Sequence, residues 1–192
     1  MDDVKLKLND FLKDCSKLLI LGIGNDIRGD DGLGPYIINQ LYDLKECLLE
    51  NDDCSETNLY EFIDLDKLNN LKNSTNFKNL VLINAGSVPE NFTGTIKKEN
   101  PSHILIIDAS LTGKNPGDMS VVLKENIVNL SVSTHSMSLS YLIKYLETDS
   151  EFNILFIGIE PKVMDLSFDL SDSVKNASDN LINIILESIL NI

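Results

Sequence analysis

With 192 residues, 43% of them hydrophobic, and a net charge of −14, the chain is apolar enough for one cored domain and too acidic to select nucleic acid or an anionic membrane. Its apolar runs fall short of a bilayer span, and the charged, helix-patterned start MDDVKLKLNDFLKDC lacks the core of a signal peptide. Cys15, Cys47 and Cys54 match no zinc or disulfide spacing, so reduced thiols and a cytoplasmic setting are expected.

KLLILGIG (Lys17–Gly24) predicts a buried strand ending in glycine. A helix is expected from about Pro35 to Glu50, with Ile37, Ile38, Leu41, Leu44 and Leu48 on its apolar face. Pro35 suits a first helical turn, where its missing N–H costs nothing. Asn51 to Asn79 is polar with short apolar pieces and predicts an insertion of weak structure. Further strands are expected at Leu80–Ile83, His103–Ile107, Met119–Leu123 and Asn153–Ile159. Helices are expected at Ser138–Glu147 and Asp172–Leu190. Strands alternating with helices imply an α/β layer fold with a mostly parallel sheet.

In such a sheet, sites form beyond the carboxyl ends of the strands. The Asn25–Asp31 loop, Asn84–Ser87, Asp108 and Glu160 should therefore gather at one rim. The stretch LGIGNDIRGDDGLGP (Leu21–Pro35) poses a choice between phosphate and metal. The dinucleotide fingerprint fails because Ile27 stands at the third glycine position, and no Gly-Lys-Ser/Thr follows. Asp26, Asp30 and Asp31 would also repel phosphate at close range. Neither the alternating acids nor the distal glutamate of an EF-hand is present.

Asp30 and Asp31 suit a helix N-terminus as well as they suit a metal, and spacing alone does not separate the two roles. Asp108 directly follows HILII, where an unpaired carboxylate at a buried strand end is costly. Of the two histidines, His103 opens a strand and belongs at the opposite edge; His135 precedes a helix, in a loop. Asp31, Asp108 and His135 together would make a mixed oxygen and nitrogen set suited to a borderline divalent metal such as zinc or nickel. No G-x-S-x-G elbow or catalytic cysteine setting is present.

These residues resemble the nickel–iron hydrogenase maturation endopeptidases. The likeness runs through GIGN (Gly22–Asn25), GDDGLGP (Gly29–Pro35), AGSVPEN (Ala85–Asn91), IIDA (Ile106–Ala109), NPG (Asn115–Gly117), THSMSLSYLI (Thr134–Ile143) and GIEP (Gly158–Pro161). Only the N-terminal extension and the Asp43–Asn79 insertion fall outside it, so residues 1–192 read as a single domain. The SVPEN and THSM pieces resemble the branch that serves formate-hydrogenlyase-type hydrogenases. The resemblance implies a three-layer α/β/α sandwich with a twisted, mostly parallel sheet. It implies removal of a C-terminal extension from a hydrogenase large-subunit precursor after nickel insertion, with the nickel carried by that precursor. It implies Asp31, Asp108 and His135 as metal-binding and catalytic residues. Where the family usually has Asp-Gly-Gly, this chain has Asn84-Ala85-Gly86, which keeps a non-cleaving nickel sensor as the alternative.

Overall fold

The apolar runs form the strands β1 (Leu18–Ile23), β2 (Val81–Gly86), β3 (His103–Ala109), β4 (Met119–Leu123) and β5 (Asn153–Ile159). The computed structural model describes residues 2–50, 63–123, 127, 136–148 and 151–192, and among them the strands make one sheet of order β2-β1-β3-β5-β4. All neighbours run parallel except β4, which lies antiparallel to β5 at the edge.

Alternation along the strands divides the core. Ile20, Leu105, Ile107, Leu155 and Ile157 face one way, towards the helices α1 (Asp2–Phe11), α2 (Leu33–Glu50), α3 (Leu65–Asn73) and α7 (Asp172–Leu190). Leu19, Leu21, Ile104, Ile106 and Phe156 face the other way, towards α5 (Thr93–Glu99) and α6 (Ser136–Leu146). Period-two alternation in strands that are apolar throughout thus builds a helix layer on each face, and the α/β expectation holds.

Three expectations change. Residues 65–78 are ordered: α3 and the short α4 (Thr75–Lys78) bury Leu68, Leu71 and Phe77 in the core. The Asp64 side chain accepts from Lys67 N at 2.7 Å and Ser74 Oγ from Phe77 N at 3.2 Å, so both helices carry a side-chain N-cap. A polar surface hid the few apolar positions that anchor them; residues 51–62 of the expected insertion lie outside the described residues. Second, α5 went unread because Ile96 is its one buried residue, and it stops at Asn100 in a left-handed conformation (φ 46°). Third, Cys47 is disulfide-bonded, while Cys15 is a free buried thiol. Disulfides follow proximity in space and not a fixed sequence spacing, so the expectation of three reduced thiols fails. Among the described residues no helix is long and apolar enough to cross a membrane.

Candidate active site

From β1 the chain passes to β2 on one side, and β3 lies on the other. The crevice beyond the carboxyl ends of β1 and β3 is therefore the topological switch point of the sheet, the usual place for a site. Asp31 and Asp108 lie on its two banks.

Asp31 belongs to a 3-10 turn, η1 (Gly29–Gly32), that runs directly into α2 and packs against β3. Two glycines make this approach possible. Gly24, at φ 141°, lies so close to the Asp31 carbonyl that a side chain there would overlap it. Gly34 seats the first turn of α2 on the sheet, and a Cβ at this position would stand 2.9 Å from the Ile107 carbonyl oxygen and closer still to Ile23. Asn25 completes the loop: its amide donates to the Asp31 carbonyl at 3.2 Å, and its side chain accepts from Ile27 N at 3.2 Å. The glycine-rich stretch thus serves close backbone packing.

Asp108 is the penultimate residue of β3, in register with Gly158 of β5. Its Oδ1 accepts from Ala109 N at 2.8 Å. Asp31 is 1% exposed and Asp108 0% exposed, so both carboxyls are buried. His135 lies outside the described residues, and among the described residues no three His, Cys, Asp or Glu side chains gather to hold a metal.

Two other acids of this rim hold backbone. Asp30 Oδ2 accepts from Lys162 N and Val163 N, both at 2.8 Å, and from Ser171 Oγ at 2.9 Å; Oδ1 accepts from Ser171 N at 2.6 Å. It pins the loop that follows β5. Glu160 Oε2 accepts from the Thr112 amide and hydroxyl, each at 2.6 Å, and Oε1 from Gly113 N at 3.3 Å. Burial pushes the Glu160 pKa up, but the Thr112 hydroxyl and the amides of Thr112, Lys114 and Gly113 outweigh it and hold the carboxyl below the usual glutamate range. In the sequence Asp30 and Asp31 share the helix N-terminus as an alternative role and Glu160 stands out only by its place after β5; neither tether has a local signal.

Asn84 lies within β2, two residues before its end, exposed, donating to Asn39 Oδ1 at 3.3 Å and accepting from Gly86 N at 3.1 Å. His103 sits at the amino end of β3, as expected. Its ring meets Ser102 Oγ at 2.9 Å, Asn153 Nδ2 at 3.2 Å and the Phe11 ring edge-on at 4.8 Å. It is a packed structural histidine.

A family model described as hydrogenase maturation protease matches residues 67–188. A putative hydrogenase maturation protease of Methanocaldococcus jannaschii is 37% identical over 186 residues, 97% of this chain and 96% of that one. The hydrogenase 3 maturation protease of Escherichia coli is 27% identical over 164 residues, 85% of each chain. The crystal structure of a nickel–iron hydrogenase maturation protease from Thermococcus kodakarensis shares the fold, with a TM-score of 0.72 at 24% identity over 97% of this chain and 99% of that one. The chain belongs to the hydrogenase maturation protease family.

Proposed function

We propose that this endopeptidase removes the C-terminal extension of a hydrogenase large-subunit precursor once nickel has been inserted. The observation that carries the reading is the placement of two buried carboxyls, Asp31 and Asp108, on the banks of the β1–β3 crevice in a chain of this family.

In this reading Asp31, Asp108 and His135 engage the nickel that arrives in the precursor. Two carboxylate oxygens and one imidazole nitrogen suit that ion. The substrate would then complete the site only when loaded, which makes cleavage a check on loading. The nickel supplies Lewis acidity toward the scissile carbonyl or its attacking water. Hydrolysis also needs a base for the water and a proton for the departing amine. One of the two aspartates takes the water proton and returns it to the amine nitrogen as the C–N bond breaks. Hydrogen-bonded backbone on either side, held by Asp30 and Glu160, keeps the crevice in shape.

The test is to incubate the protein with nickel-loaded and nickel-free precursor and weigh the large subunit by mass spectrometry. Loss of the extension from the loaded form alone is expected. Equal cutting of both forms would remove the loading check, and binding without mass loss would favour the nickel sensor suggested by Asn84.

A further inference from the structure

Beside the crevice, on the outer flank of η1, the loops around residues 26–29 and 162–170 present an apolar surface that the mechanism does not use. Leu166 and Phe168 are each 80% exposed, and Ile27 and Val163 are 42% and 38% exposed. The two loops are knitted together: Gly29 N donates to Ser167 O at 2.8 Å, Ser167 N to Ile27 O at 3.1 Å, and Asp30 N to Val163 O at 2.8 Å. The Asp30 carboxylate anchors the same loop through four further bonds. Large apolar side chains on a tethered loop are pre-organised, and so lose little freedom on binding.

A cleft of about 290 Å³ opens next to this ledge, with Phe168, Leu170, Pro35 and Tyr36 among its walls and Asp26 and Asp169 on its lining. Asp26, Asp165 and Asp169 are exposed. Three cations neighbour these acids: Arg28, Lys162 and Lys175. Arg28 donates to the Met164 carbonyl at 3.4 Å, and Lys175 pairs with Asp179 at 3.0 Å. Lys175 is met by Asp179, whereas Arg28 keeps its charge beside a neutral carbonyl, so Asp26, Asp165 and Asp169 face Arg28 and Lys162, and the surface offers apolar contact with an excess of one negative charge in a chain of net charge −14.

We propose that this ledge and cleft are the docking surface for the large-subunit precursor. They would take a segment that combines an apolar side chain, seated in the cleft, with a lysine or arginine at its acidic mouth. The assignment rests on the proposed function for the identity of the partner. Asp30 links docking to chemistry, because the residue that anchors the ledge is covalently next to Asp31. A precursor held at Leu166 and Phe168 is held against the segment that carries the candidate catalytic acid.

The experiment measures the Kd of purified nickel-loaded precursor for the wild-type chain, a Leu166→Ser/Phe168→Ser double variant, an Asp165→Asn/Asp169→Asn double variant, and a Leu65→Ser control. Leu65 is 76% exposed and lies on α3, outside the ledge. Melting curves confirm that each variant is folded. The apolar double variant is expected to raise Kd by about tenfold or more. The charge variant should weaken binding less and flatten its salt dependence, and Leu65→Ser should change nothing. An unchanged Kd in the apolar variant overturns the assignment, as does an equal loss in the control. A concentration-dependent dimer of the wild-type chain, abolished by the same substitutions, would hand the surface to a second copy. Cleavage is read separately by mass. Binding that depends on the ledge without cleavage leaves this inference standing and removes the protease reading; cleavage with ledge-independent binding does the reverse.

Discussion

The two ends of the sheet bury polar groups in different ways. At the amino end, the His103 ring meets Ser102, Asn153 and the Phe11 ring, and all of them are neutral or aromatic. At the carboxyl end, four acids among the described residues are buried: Asp30, Asp31, Asp108 and Glu160. Neutral polar groups that satisfy one another cost little to bury, whereas four carboxyls at one rim are expensive unless each is hydrogen-bonded or paired. Asp30 and Glu160 are tethers, with both oxygens of each turned to loop donors. Asp31 and Asp108, between them, are the candidates for chemistry.

The sharpest way to break this contrast is Asp31→Asn or Asp108→Asn. Each keeps the shape and removes the charge. Processing of loaded precursor should fall by at least about 100-fold, the low end of a general-base contribution. The fold should be kept, as read by circular dichroism. Either variant cutting at the wild-type rate would unseat the assignment.

Asp30→Ala should act on stability instead. It strands three backbone amides and a hydroxyl, a loss of about 3 kcal/mol for a buried, charged acceptor. The melting temperature should fall by on the order of 10 °C. A wild-type melting curve would mean the loop after β5 is held by something else.

Glu160 gives a smaller effect, visible only in acid. Its folded pKa lies below the unfolded value, so its stabilisation is present above about pH 4.3 and is lost as pH falls through the folded pKa. Glu160→Gln should lose stability at neutral pH and show a shallower acid limb. The same limb in both proteins would separate Glu160 from acid unfolding.

His103 gives the smallest effect and serves as the amino-end control. Burial lowers its pKa, against the raising influence of Asp14 and the Phe11 backbone. The neutral ring is the favoured folded form. Its contribution is therefore intact above about pH 6.5 and declines as pH drops below that value towards the folded pKa. His103→Gln should remove that slope from the stability curve and leave processing unchanged; an inactive, folded variant would move the site from His135 to His103.

Much of this was legible because the strands are extreme. KLLILGIG, HILIIDA and NILFIGI have no choice but burial on both faces, and in a parallel sheet their last residues must share a rim. That reasoning reaches the Asn25–Asp31 loop and Asp108 without coordinates. It cannot separate Asp30 from Asp31, because the difference is made by Lys162, Val163 and Ser171, whose donors arrive from the far end of the chain. Helices α3 and α4 were missed for a related reason. Their caps are local, but Leu68, Leu71 and Phe77 register as core only once α2 and α7 are there to receive them.

The place of β1 in the sheet has a consequence for synthesis. Leu19 pairs with Val81 on one flank and with Ile104 on the other. Among the described strands β1 is thus made first, and its two sheet neighbours, β2 and then β3, leave the ribosome later. During that interval LLILGI, fully buried in the finished protein, is an open, sticky edge on both sides. Non-local pairing of this kind folds slowly, and a nascent chain of this protein should need a holding chaperone most before residue 81 is translated and least after residue 109 is free of the exit tunnel.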